Sequence, residues 1–65
     1  MALSDDQETK LVAILEACED QIQHLNDWER NFLADQQERY QKYKSQMSLT
    51  AKQWTILDKM MEKVQ

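Results

Sequence analysis

Cys18, His24 and the neighbouring carboxylates Glu19 and Asp20 are the residues from which nucleophilic, acid–base or metal chemistry could be built, and their spacing supports none of it. His24 is the sole histidine, with no partner at metal-ligand spacing, and the one thiol, Cys18, stands almost two helical turns away. It reads as a surface or seam-edge histidine. Glu19 and Asp20 are adjacent, so on a helix they point in different directions and read as solvated charge rather than a paired acid and base. A single cysteine allows no internal disulfide and no cysteine-based zinc site, and within an apolar row it behaves as a small hydrophobe. With no glycine, the chain has no phosphate-cradling loop of the Walker or dinucleotide kind. The expectation is a non-enzyme with no catalytic group, cofactor, metal or small-molecule substrate.

Binding chemistry is better represented. In Glu38-Arg39-Tyr40-Gln41-Lys42-Tyr43-Lys44 bases and aromatics interleave. Tyr40 and Tyr43, three apart, share a helix face flanked by Arg39, Lys42 and Lys44. Aromatic platforms beside cations suit single-stranded nucleic acid, through base stacking and phosphate contact. The alternative packs both tyrosines against Trp54 or Leu57 and leaves the lysines solvated. Trp28 and Trp54 are expected in the core, because helices this polar need large side chains to bury enough area. Even so, Trp28, Phe32, Met47, Met60 and Met61 exceed what so small a core needs, and they form the candidate surface for docking on a protein partner.

These residues must be positioned by helices, and the chain marks where helices start. Thr50 with Gln53 forms a capping box, and Leu49 with Trp54 stands at the two positions of a hydrophobic staple. Ser4 with Gln7 forms a second box and Asn26 with Glu29 a third. After Ser4, the residues Leu11, Leu15, Cys18, Ile22 and Leu25 recur at helical spacing, with Val12 and Ile14 on the flanks. The second helix carries Trp28, Phe32, Leu33, Tyr40, Tyr43 and Met47, with a thin seam at Gln36-Gln37; the third carries Trp54, Leu57, Met61 and Val64. Helices are expected at about 4–25, 27–46 and 51–63 of a single domain. The fold class is all-α, either a three-helix bundle or a long helical hairpin with a shorter third helix across it. A continuous rod over residues 4–46 competes with the turn at Asn26-Asp27, because no glycine or proline forces a break there.

The chain has 65 residues and a net charge of −4, near the lower limit for folding unaided. Residues 1–27 carry seven acids against Lys10 alone, whereas residues 28–65 carry seven bases against five acids. The overall sign argues against avid sequence-independent DNA binding but not against a local basic patch. Met1-Ala2-Leu3 runs into Ser4-Asp5-Asp6 with no basic leader and no long apolar run, so a soluble cytoplasmic protein is expected.

Two segments also carry a resemblance: Asp27-Trp28-Glu29-Arg30-Asn31-Phe32-Leu33, and Ser48-Leu49-Thr50-Ala51-Lys52-Gln53-Trp54 continuing through Thr55-Ile56-Leu57-Asp58-Lys59. Together they resemble a short helical module of phage DNA-metabolism proteins, in which a "WE…F" segment precedes "LTxKQ…L.K". That module is similar to the small companion proteins encoded beside UvsW-type superfamily 2 recombination helicases of T-even phages. The similarity covers residues 27–63, and where the module often has a glycine this chain has Lys44-Ser45-Gln46. The resemblance implies an accessory of a helicase in recombination, replication or repair of branched DNA, with no ATPase site of its own. A different class of reading is a self-associating structural or regulatory protein, a homodimer pairing the Leu11–Leu25 seams, or an acidic inhibitor of a host protein.

Overall fold

Local hydrogen bonds between side chain and backbone fix where each helix begins. In the computed structural model, which describes residues 2–65, all three capping boxes are closed in both directions. Ser4 Oγ accepts from Gln7 N–H at 3.2 Å and Asn26 Oδ1 from Glu29 N–H at 2.8 Å. Thr50 Oγ1 accepts from Gln53 N–H at 3.1 Å, while the Gln53 side chain returns to the Thr50 N–H at 2.9 Å. Each such cap contributes about 1 kcal/mol to its helix. The helices are α1 (Asp5–Asp20), α2 (Asp27–Tyr43) and α3 (Ala51–Val64), with 3-10 turns at Ile22–His24 and Lys44–Gln46. Among the described residues there is no strand.

The three helices form an up-down-up bundle measuring 30 × 20 × 19 Å. Two ion pairs tie its helices together. Lys10 of α1 meets Asp58 of α3 at 3.0 Å, and Lys63 near the end of α3 meets Glu29 at the start of α2 at 2.6 Å. α1 lies against both other helices. Among the described residues, no helix is long and apolar enough to cross a membrane.

The first expected helix is shorter than its apolar periodicity suggests. α1 ends at Asp20, because Gln21 leaves the helical region at φ −116°, ψ 35° while its N–H still bonds the Ala17 carbonyl. The 3-10 turn that follows swings Leu25 back into the core at 3% exposure and leaves Ile22 outside at 42%. This break rules out the continuous rod. The second helix also stops early, at Tyr43 rather than near residue 46.

Leu11, Ile14, Leu15 and Cys18 of α1 close on Leu33, Leu57 and Met60, with Leu3 and Met47 sealing one end. Burying a Leu or Met side chain contributes about 1.5–3 kcal/mol, so this single cluster carries the fold. It also takes in Leu11, Leu15, Cys18 and Leu25 of the expected seam and leaves out Ile22. Gln36, expected at a thin point of α2, is instead fully enclosed. Its Nε2 reaches Asp35 Oδ2 at 3.5 Å, and its Oε1 has no partner.

The turn after α2 is strained. Lys44 has φ 51° and ψ −130°, a region costly for a residue with a Cβ. Its neighbours hold it there: Leu3 N–H donates to the Ser45 carbonyl at 2.7 Å, Met47 N–H to the Lys44 carbonyl at 3.2 Å, and Met47 is buried.

Candidate interaction face on the second helix

Residues 28, 32, 35, 39 and 43 of α2 recur at spacings of four, three, four and four, so they share one helix face. This row carries Trp28, Phe32, Asp35, Arg39 and Tyr43. Trp28 is 58% exposed and stacks on half-buried Phe32, with ring centroids 5.5 Å apart and planes 6° from parallel. Tyr43, at 49% exposure, marks the other end, roughly 22 Å along the helix axis. The expectation of a core Trp28 is thus corrected: its row is not the one that α2 turns toward α1 with Leu33 and Gln36. Trp54 is half-buried against the core, under Lys10 Nζ at 5.3 Å from its ring centroid.

Of the five docking candidates, Trp28 is exposed, and Phe32 is half-buried beneath it and packed against the core. Met47 and Met60 are core residues at 4% and 0% exposure, and Met61 is half-buried against them. Methionine's flexible thioether fills the irregular space between helix ends, which accounts for the apparent surplus.

The basic and aromatic segment divides in a similar way. Tyr40 turns inward, packs against the core and donates its hydroxyl to Glu8 Oε2 of α1 at 2.8 Å. That hydrogen bond, with burial and the Glu8 charge behind it, raises the phenol above its ordinary pKa. Lys44 Nζ lies 5.3 Å from the Tyr40 ring centroid and covers it. Tyr43 remains open, with Lys42 Nζ 5.4 Å from its centroid. Arg39 Nε is 3.2 Å from Asp35 Oδ2 in an exposed i, i+4 pair, of the kind that contributes about 0.3–0.5 kcal/mol and is readily exchanged for another anion.

Two shallow grooves flank Tyr43. One, of about 230 Å³, is lined by Arg39, Tyr43, Gln46, Met47 and Ser48 and contains no carboxylate. The other, of about 380 Å³, is lined by Asp35, Glu38, Arg39, Lys42 and Tyr43. The first suits an unpaired base stacked on Tyr43 with its phosphate on Arg39; the carboxylates of the second oppose a phosphate. Stacking of this kind is worth about 1–3 kcal/mol per base.

Cys18 is fully buried, and burial first, then the nearby Glu29 carboxylate, push its thiol pKa up. His24 lies exposed in the 3-10 turn after α1. Among the described residues no group of three His, Cys, Asp or Glu side chains could hold a metal ion. The exposure of Ile22 and the enclosure of Gln36 gave no signal in residue type. Compared with family models, curated proteins and solved structures, the chain matches none.

Proposed function

We propose that this chain is a non-enzymatic accessory module of a phage DNA helicase in recombination, replication or repair. It docks on the larger protein through Trp28 and Phe32 and offers the Tyr43 end of α2 to single-stranded or branched DNA. The observation that carries this reading is the exposed row on α2, with an aromatic stack at one end and Tyr43, Lys42 and Arg39 at the other. A Trp more than half exposed is the type of anchor that dominates protein interfaces. Tyr43 and its cations suit a weak contact in which stacking supplies tolerance of sequence and the phosphates supply salt dependence. The helicase and its phage setting come from the likeness of residues 27–63 to UvsW-type companion modules.

Within this reading Tyr43, Arg39, Lys42 and Lys44 touch DNA, and Tyr40 supports the platform by tying α2 to Glu8. Binding to a single-stranded oligonucleotide is expected to be weak and to decline with salt. Lys42→Glu combined with Lys44→Glu should abolish it, and unchanged affinity removes the DNA contact. For docking, Trp28→Ala should weaken binding to the purified helicase by at least about tenfold, the lower range for an interface anchor. Binding indifferent to Trp28→Ala removes the docking role.

A further inference from the structure

On the opposite side of α2 from the Trp28 row, α1 and α2 leave a groove of about 240 Å³. Gln37 and Gln41 of α2 form one rim, roughly half a turn around the helix axis from Trp28. Glu16 and Glu19 of α1 form the other, and buried Leu15 with half-buried Val12 and Tyr40 completes the lining. Every charged residue lining this groove is acidic.

We propose that this groove receives a short basic segment of a protein partner, an apolar side chain flanked by arginine or lysine; the inference rests on the docking half of the reading above. Val12, Leu15 and Tyr40 give the lining an apolar part, so a partner's Leu-sized side chain gains by covering it. Glu16 and Glu19 are three residues apart on one helix, with Cβ atoms about 5–6 Å from each other, close enough for two cations on successive turns of a partner helix. Glu16 takes part in no ion pair among the described residues, while Glu19 accepts a hydrogen bond across the groove from Gln37 Nε2 at 3.2 Å. That bond is neutral-to-charged and exposed, so an arginine fork can replace the amide on the carboxylate. The freed Gln37 amide, with Gln41, can then donate to and accept from the partner's backbone.

The surrounding charge selects the same occupant. α1 carries Asp5, Asp6, Glu8, Glu16, Glu19 and Asp20, and its one base, Lys10, is held by Asp58 at 3.0 Å. A nucleic acid strand is repelled from this side and confined to the Tyr43 end. From Val12 to Glu19 the groove runs roughly 10 Å, the length of two helical turns or three extended residues, so it takes a segment rather than a domain.

The test is a heteronuclear NMR titration of the full chain with a short amphipathic Arg/Leu peptide, with an Asp/Leu peptide of equal length as control. The expected result is weak, salt-sensitive binding of the Arg/Leu peptide alone, with amide shifts grouped at Val12, Glu16, Gln37 and Gln41. Glu16→Lys with Glu19→Lys should weaken it at least about fivefold, whereas Glu38→Lys with Glu62→Lys, an equal charge change elsewhere, should cost less than about twofold. Gln41→Arg, which places the chain's own guanidinium in the groove, should also weaken it. Equal losses in both charge-reversed pairs, shifts elsewhere, binding of the acidic peptide, or occupation by a second copy in sedimentation would each overturn the proposal. Helicase binding that needs Trp28 but ignores Glu16 and Glu19 removes the groove alone; peptide binding without any helicase binding removes the helicase and leaves the groove.

Discussion

Replacing Lys44 by glycine should make the protein more stable. At φ 51°, ψ −130° the Lys44 Cβ crowds its own backbone, in the region that the first central residue of a type II′ turn occupies and that glycine fills at no steric cost. A non-glycine residue held in so sparsely populated a region costs about 1–3 kcal/mol. Glycine releases that strain but gives about 0.4–1 kcal/mol back through its freer unfolded chain. Loss of the exposed lysine–Tyr40 contact, 5.3 Å from nitrogen to ring centroid, takes away about 0.5 kcal/mol more. The net gain is about 1 kcal/mol, which in a domain this small raises Tm by about 4–8 °C. Thermal unfolding followed by far-ultraviolet circular dichroism measures it, with Lys44→Ala as the control that removes the side chain and keeps the Cβ. The alanine variant should unfold at or slightly below the parent temperature. A glycine variant no more stable than the alanine variant would refute the strain argument. If Lys44 contacts single-stranded DNA as proposed, both variants should lose affinity equally, since both lack the ammonium group.

Gln36→Met should stabilise by about 1 kcal/mol in chemical denaturation, because it removes an enclosed carbonyl oxygen without a partner and keeps the side chain's length; destabilisation would show that the amide is satisfied in solution. The Cys18 thiol should resist a disulfide reagent in the native state and react at the rate of unfolding, since it is fully buried and its pKa is raised; fast native labelling would contradict its enclosure. The Glu29 carboxyl is held below its ordinary pKa, first by the hydrogen bond from Lys63 and then by that from the Asn26 backbone. Its contribution is therefore complete above the ordinary glutamate range and is lost as pH falls through the lower folded value. Lys63→Gln should flatten this acid limb of the stability curve, and an unchanged limb would show the ion pair to be idle.

The helix starts were legible because each capping box is a three-residue message that needs no tertiary context: Ser4–Gln7, Asn26–Glu29 and Thr50–Gln53 all form. The all-α class followed from the same signals and the helical spacing of Leu11, Leu15 and Cys18. Helix ends were less legible. With no glycine or proline, nothing local announces that α1 stops at Asp20, and the break is made by Leu25 returning to the core. Lys44 gave no sign of a positive φ, because the torsion is imposed from afar by Leu3 bonding Ser45. The candidate site was legible in kind more than in membership. Tyr40 and Tyr43 share a face by spacing, yet Glu8 draws Tyr40 inward while Tyr43 stays open. Residue type pointed the wrong way for Trp28, which is outside, and for Gln36, which is inside, whereas Met47 and Met60 were misjudged only as surplus to the core.

The exposed row of α2 is the part of the molecule on which the functional account stands. A titration of the isotope-labelled full chain with a short single-stranded oligonucleotide, read as backbone and side-chain shifts, tests it most directly. Shifts are expected at Arg39, Lys42, Tyr43 and Lys44 that fade with added salt, with Glu16 and Glu19 undisturbed. Absent shifts, or shifts centred on α1, would contradict it.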